Sequence, residues 1–411
     1  MNTATKLWNK NFILYVTSFE FSLVGDSLLR FAIPIYILTA TNNPALLGTV
    51  MTLSWAPNVL FTPIGGVMAD RLDKRKMMIL FNFLIATVIG AYIFLTGTID
   101  SLGLSLTILV AVTILQSLQS SSFETAVYTI IPMEDLLKAN SVTFVLMIGS
   151  GILAPIVAGF MLAEFGLTSI IYSSLAFFGI GTLLNYLMKI PHDTIKVKTG
   201  LFQTLLIDTR ESYRFIRHKN PTMGRMTIGL FLYALVLIPA LTFIPSVLIN
   251  SALGMSEQSL GFANGLIAGG GVLGVVALGA FEKKITIPTL PKLLVASALS
   301  LITTIVLFMT SSGYIAFAIL ITGLLLVNSI LVIYSMTYFT YLGQNTPEDI
   351  VGKIMALAMT VMTLGGTLSM FVVGRLFSLF ENNLEIATLI LPVAVLISAF
   401  LTVEKRKSRS D

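Results

Sequence analysis

The sequence predicts an all-α integral membrane protein, with twelve transmembrane helices in two six-helix halves and both termini in the cytoplasm. Three observations carry this expectation. Only 11% of the 411 residues are charged while 55% are hydrophobic, for a mean hydropathy of +0.91; soluble domains carry about a quarter charged residues. Apolar runs close to the roughly 20 residues that cross a bilayer recur along the whole chain. Finally, 23 of the 25 Lys and Arg residues fall in the two tails and in every second junction between runs, the pattern left when basic loops stay in the cytoplasm during insertion.

Taken in order, the runs lie near residues 11–39, 44–68, 77–97, 103–126, 141–163, 168–190, 226–249, 260–281, 293–311, 314–338, 353–379 and 384–403. The basic residues that orient them are Lys6 and Lys10, the group Arg71 to Lys76, Lys138, eight between Lys189 and Arg225, Lys283, Lys284, Lys292, Lys353, and four in the tail from Lys405. Arg30, inside the first span, and Arg375, near the outer end of the eleventh, are the exceptions. Residues 1–190 form the first half, 191–225 a cytoplasmic linker, 226–403 the second half and 404–411 a basic tail. The expected location is the cell membrane, as a multi-pass monomer in contact with lipid.

What is missing narrows the chemistry. Without cysteine there are no disulfides, thiols or Cys-type metal sites. The only histidines, His192 and His218, lie in the linker, so an intramembrane proton carrier has to be a carboxylate. No phosphate-binding GxxxxGK[ST] loop occurs, and no nucleophile–base or metal constellation falls within the spans. No enzyme, cofactor or metal is expected, and any energy source is a proton gradient. The first apolar run is too long for a cleavable leader and is followed by further spans. The net charge of +5 follows from topology and implies no nucleic acid.

In the linker, Phe202, Leu206, Tyr213 and Ile216 share a helical face beside a stripe of Arg210, Arg214 and Arg217. Such a helix either lies against anionic headgroups or serves as a solvated tether. The two halves repeat: Gly48 and Gly66 match Gly261 and Gly279, Glu134-Asp135-Leu136 matches Glu348-Asp349-Ile350, and Gly151 matches Gly365, all at an offset of 213 or 214 residues. Parallel repeats with a cavity between them describe a transporter.

Several segments carry a family resemblance over essentially the full length. Gly66-Val-Met-Ala-Asp70-Arg71-Leu-Asp73-Lys74-Arg75 resembles the loop signature between spans two and three of the major facilitator superfamily, with Asp73 where many members have glycine. Gly149-Ser-Gly151-Ile-Leu-Ala-Pro155-Ile-Val-Ala-Gly159 is similar to the span-five motif of exporters and antiporters in that family. Phe123 to Pro132, followed by Glu134 to Asn140, resembles the span four to five junction of its macrolide-type efflux permeases. The resemblance implies the major facilitator fold. One departure is that span four carries Gln116, Ser117, Gln119, Ser120, Ser121 and Ser122 where many drug antiporters have an arginine.

Glycines 65 and 66 let the end of span two approach a neighbouring helix, which puts Asp70 at the membrane surface, where the first-turn amides of another helix would favour a carboxylate. The resemblance implies that this partner is the start of span eleven near Gly352 and Lys353. Gly66, Asp70, Arg71, Lys74 and Arg75 are therefore expected to form a cytoplasmic gate, although the basic members also fix topology. Glu124 and Lys353 are possible inner-gate residues.

The residues most suited to chemistry lie in span one. Glu20, Asp26 and Arg30 sit where an ion is costly unless paired or wetted. Arg30 is four residues beyond Asp26, about 40° around the helix, and can pair with it. A proton or a cationic substrate would compete with Arg30 for the carboxylate, though the pair can also be a fixed tie. Glu20, about 120° from Asp26, either snorkels or faces an inward vestibule. Gln116, Gln119 and Ser120 are expected to line the cavity. In span five, Gly149, Gly151 and Gly159 permit close approach and Pro155 permits a bend. A carboxylate among many of the 18 Met and 27 Phe residues favours a bulky amphipathic or cationic substrate, and with the resemblance the expected function is proton-coupled export of amphipathic drugs of the macrolide or multidrug type. An exporter or flippase of a lipid-like or siderophore metabolite, or a non-transporting receptor or scaffold, remains as an alternative.

Overall fold

The computed structural model describes residues 7–96, 102–190, 201–218, 221–281, 284–347, 350–380, 388–393 and 395–396. All regular structure among the described residues is helical: α1 (Lys10–Thr41), α2 (Pro44–Arg71), α3 (Lys74–Thr96), α4 (Leu102–Ile130), α5 (Leu136–Leu187), α6 (Leu201–His218), α7 (Pro221–Val247), α8 (Glu257–Ala280), α9 (Leu290–Met309), α10 (Gly313–Gln344) and α11 (Val351–Leu379). Ten of the helical stretches are long and apolar enough to cross a membrane. One of them, Met133–Leu187, has 55 residues, room for two crossings of a hydrocarbon core about 30 Å thick. It holds the expected spans five and six. Most of the expected span twelve, the repeat residues Glu348 and Asp349, His192 and the basic tail lie outside the described residues.

Local chemistry explains where the helices begin and break. The side chain of Asn9 caps α1 by accepting the Phe12 amide at 2.9 Å, and α1 ends at Asn42 in the left-handed region (φ 47°). Asparagine is among the few side chains that tolerate that conformation. Within α5, Gly166 has φ 72° and ψ 177°, a region almost reserved for glycine. One glycine therefore supplies the break within this long stretch. Between α2 and α3, Asp73 Oδ1 accepts the Lys76 amide at 3.1 Å, so the residue that departs from the family's loop signature is the N-cap of α3.

The chain divides into two compact units that exchange short segments. The first comprises residues 1–42, 53–205 and 256–265; the second comprises 43–52, 206–255 and 266–411. Within the first, α5 and the start of α8 approach closely: a methyl group added at Gly159 would lie 2.8 Å from Gly261 Cα, and one added at Gly265 would lie 2.6 Å from the Ile152 carbonyl oxygen. Within the second, the start of α2 meets α11 in the same way, with a methyl group at Gly48 falling 2.6 Å from Gly374 Cα. Small residues that bring backbones together are how helices associate in lipid. Gly48 and Gly261 are the repeat partners noted in the sequence, and each makes the matching contact in its own unit.

A buried polar belt ties the first unit together. Asn82 on α3 donates to Ser22 on α1 at 3.0 Å, and Gln119 on α4 donates to Asn82 at 2.8 Å and to the Met78 carbonyl at 3.0 Å. Ser18 on α1 donates to Asn185 on α5 at 2.7 Å. Such bonds between membrane helices contribute roughly 0.6 to 2 kcal/mol each.

Candidate functional site

The first unit contains a partly open cavity of about 480 Å³ lined by α1, α2, α4 and the first arm of α5. One part of its wall is polar, with Asp26, Arg30, Asn58, Gln116 and Ser120; another is aromatic and soft, with Phe19, Phe123, Phe144 and Met147. Helical spacing on α1 generates both. Tyr15, Phe19, Ser22, Asp26 and Arg30 follow one another at steps of three and four residues and all face the cavity.

At the polar end, Arg30 Nε donates to Asp26 Oδ2 at 2.6 Å. The acid precedes the base by four residues, the favourable order for a helical pair. Both side chains are mostly shielded, at 17% and 13% exposure, so neither ion could be left alone at small cost. Arg30 has two further partners: Nη1 donates to the Ser54 carbonyl on α2 at 2.6 Å, and the guanidinium lies over the Trp55 ring, 5.7 Å from its centroid. Asp26 Oδ1, the second oxygen of the carboxylate, is buried and has no hydrogen-bond partner among the described residues. Neighbouring contacts hold the wall in place, as Ser117 donates to Asn58 at 2.9 Å and Tyr15 donates to the Phe123 carbonyl at 3.1 Å.

The other expected site residues fall in several places. Gln116 and Ser120 line the cavity, but Gln119 does not. It is fully buried and turned to α3, where its amide donates to the Met78 carbonyl and to Asn82. Glu124 lies on the cavity wall, with its side chain exposed there. Glu20 lines a separate groove of about 290 Å³ beside Leu146 and Phe177. There it accepts a hydrogen bond from Ser150, the residue between Gly149 and Gly151.

The loop motif divides its labour. Gly65 packs on α4, where an added methyl group would meet the Leu118 carbonyl oxygen at 2.6 Å, whereas Gly66 has its nearest neighbour, Ser121 Oγ, at 3.7 Å. Arg75 donates to the Tyr186 carbonyl and lies over the Tyr186 ring at 5.8 Å, so it neutralises the negative end of α5. Asp70 is exposed at the last turn of α2. Lys353 pairs with Asp208 at 2.9 Å and Glu211 at 2.8 Å on α6. Among the described residues, only Gly159 of the three span-five glycines makes the expected close approach: added methyl groups at Gly149 and Gly151 would meet no described neighbour within 4 Å. On α6, Ile216 is buried while Tyr213 is exposed, so the expected apolar face is split between two environments.

Sequence reasoning missed Asn58, Tyr128, Asn140 and Thr143, all on the cavity wall. Asn58 had a legible signal, since an amide inside an apolar span calls for a partner or a wet surface. Asn140 and Thr143 precede or open the fifth span, where polar residues are ordinary and carry no such signal.

A multi-pass bundle whose interior holds a largely shielded ion pair facing an amphipathic cavity has the construction of a membrane transporter. The chain belongs to the Major Facilitator Superfamily, whose family model matches residues 17–370; it is a transporter and not an enzyme. It is similar to macrolide efflux protein A of Streptococcus pyogenes, with 24% identity over 290 residues covering 69% of this chain and 70% of that protein. It is also similar to the enterobactin exporter EntS of Salmonella typhi, with 22% identity over 357 residues covering 82% of this chain and 78% of that one. Among solved structures, a mutant form of the nucleoside transporter NupG shares the fold with a TM-score of 0.75 and 14% identity, covering 96% of this chain and 99% of its own.

Proposed function

We propose that the protein is a secondary active efflux transporter, driven by a proton gradient, that exports amphipathic drug-like compounds of the macrolide or multidrug type. Transport would proceed by alternating access between two six-helix halves, with both termini cytoplasmic. The observation that carries this reading is the cavity itself: an ion-paired carboxylate at one end and a Phe and Met wall at the other suit a molecule with a cationic group and a bulky apolar body. The relatives named for macrolide efflux and enterobactin export support the outward direction.

In this reading Asp26 is the coupling and substrate residue, Arg30 its counter-ion, Glu20 an auxiliary carboxylate, and Gln116 and Ser120 cavity contacts. A proton or substrate cation displaces Arg30 from Asp26, and the site cannot serve both at once, which is the requirement for exchange. Asp70 acts as a cytoplasmic latch together with Arg71 and Lys74. A carboxylate in the last turn of α2 is disfavoured by that helix's own dipole, so its presence favours an outside partner. The relative named for enterobactin export also keeps a second reading in view, in which the cargo is a lipid-like or siderophore metabolite.

Uptake of a fluorescent amphipathic cation and of a macrolide into inside-out vesicles under an imposed proton gradient tests the proposal. Gradient-dependent uptake is expected in the wild type. Uptake should be lost in Asp26→Asn and strongly reduced in Asp70→Ala at equal expression. Uptake of both compounds that ignores the gradient, or that survives unchanged in Asp26→Asn, refutes the coupling role. If neither compound moves but a lipid or native metabolite does, the cargo assignment is wrong.

A further inference from the structure

We propose that Arg30 is a positioning residue that transmits the occupancy of Asp26 to α2, and that Trp55 reports the event. This rests on the proposed transport role of Asp26 and adds the path by which its charge reaches the helix frame. Three contacts of one guanidinium carry it: Nε on Asp26 Oδ2 at 2.6 Å, Nη1 on the Ser54 carbonyl at 2.6 Å, and the cation over the Trp55 ring at 5.7 Å. Asp26 and Arg30 belong to the same helix, so their pairing alone joins no two elements. The contacts to Ser54 and Trp55 are what tie the pair to α2.

They meet α2 at a susceptible turn. Pro57 lies inside the helix and has no amide hydrogen, so the carbonyl four residues before it, that of Leu53, lacks its helical donor. Residues 53–57 are thus the loosely held turn of α2, and the neighbouring carbonyl is the one that Arg30 grips. When a proton or cation neutralises Asp26, the guanidinium loses its anion in a shielded site. An unpaired ion there is costly, so it must move to a new partner or to water. Either movement alters its hold on Ser54 and its place over Trp55. Lysine at position 30 keeps the charge but lacks the planar fork that serves two acceptors and a ring together.

The other ionisable groups lining the cavity are Glu124 and Tyr128 on α4 and Tyr15 on α1; the cavity residues from α2 and α5 carry no charge. Asp26 therefore has to be separated experimentally from Glu124. The chain contains two tryptophans, Trp8 and Trp55, and Trp8 is an exposed residue packed edge-on against Phe12, 5.6 Å away. A Trp8→Phe variant of the full chain leaves Trp55 as the sole indole emitter.

The experiment records emission and acrylamide quenching of Trp55 in purified Trp8→Phe protein in lipid nanodiscs. It does so across a pH titration and on addition of tetraphenylphosphonium, with binding measured separately by equilibrium dialysis. The expected result is a Trp55 shift with pH that persists in Glu124→Gln, disappears in Asp26→Asn, and is lost in Arg30→Lys even though that variant remains folded by circular dichroism. Vesicle transport should also be lost in Arg30→Lys. If neither acidification nor bound tetraphenylphosphonium changes Trp55, or if Arg30→Lys keeps the full shift and full transport, the inference is overturned. A Trp55 response that depends on Asp26 and Arg30 in a protein that moves no cargo would uphold it while refuting the transport reading.

Discussion

Single side chains decide several features that composition leaves open. Asp73 stands where the family's loop signature often has glycine, and its carboxylate accepts the Lys76 amide at the start of α3. Removing a capping side chain costs about 1 kcal/mol. Asp73→Ala is therefore expected to lower the thermal unfolding temperature in detergent, while Asp73→Asn, which retains a capping oxygen, should stay close to wild type. Equal loss in both variants would mean that the negative charge, and not the cap, matters at this position. Much of the chemistry at this scale was legible beforehand: Asp26 and Arg30 stand out as ions inside an apolar span, and their four-residue spacing makes them partners. Which way Gln119 turns was not legible, because neighbouring residues on a polar strip differ by 100° steps and only packing selects the face that meets the cavity. The partners of Arg30 on α2 were hidden for a similar reason, since a backbone carbonyl bears no sequence mark.

Between elements, glycine works through the backbone that faces it. Gly159 and Gly151 belong to the same span-five motif, yet one presses on α8 and the other meets open space. Gly159→Ala should destabilise the fold by about 1 to 3 kcal/mol, the usual cost of overpacking, and lower the yield of monodisperse protein. Gly151→Ala should fall within about 0.5 kcal/mol of wild type. Thermal stability of the two variants, measured side by side, decides the matter, and equal loss in both would contradict the assigned contacts. The motif was readable as a glycine-rich helix, but which glycine touches a neighbour depends on residues 100 positions away. At the α6 end, the sequence showed an arginine stripe and left its use open. What the structure adds is that the acidic residues between those arginines, Asp208 and Glu211, hold Lys353 at the start of α11, so part of this helix is engaged by protein whatever its outer face meets.

For the whole molecule, the apolar runs and the alternation of basic junctions made the helical membrane class legible, because crossing a bilayer and staying inside are constraints written locally in composition. The proposed orientation can be tested directly because the chain has no cysteine. A cysteine placed at Glu164, an exposed position beside the Gly166 break, should react with a membrane-impermeant maleimide on intact cells. One placed at Asp73 should react only after the membrane is opened. The reverse pattern would invert the topology. What local composition did not reveal is that compactness follows neither half of the chain alone: residues 256–265 complete the first unit and residues 43–52 the second. Biosynthesis then has an order imposed on it. When the ribosome has delivered α5, which ends at Leu187, the glycine face of Gly159 still waits for Gly261, about seventy residues from being made, and the start of α2 waits longer still for Gly374. The nascent protein must spend most of its synthesis with bare helix faces in the bilayer, where a membrane insertase or neighbouring lipids have to cover them, so a mutation that slows release of the late helices should raise degradation without touching a single residue of the cavity.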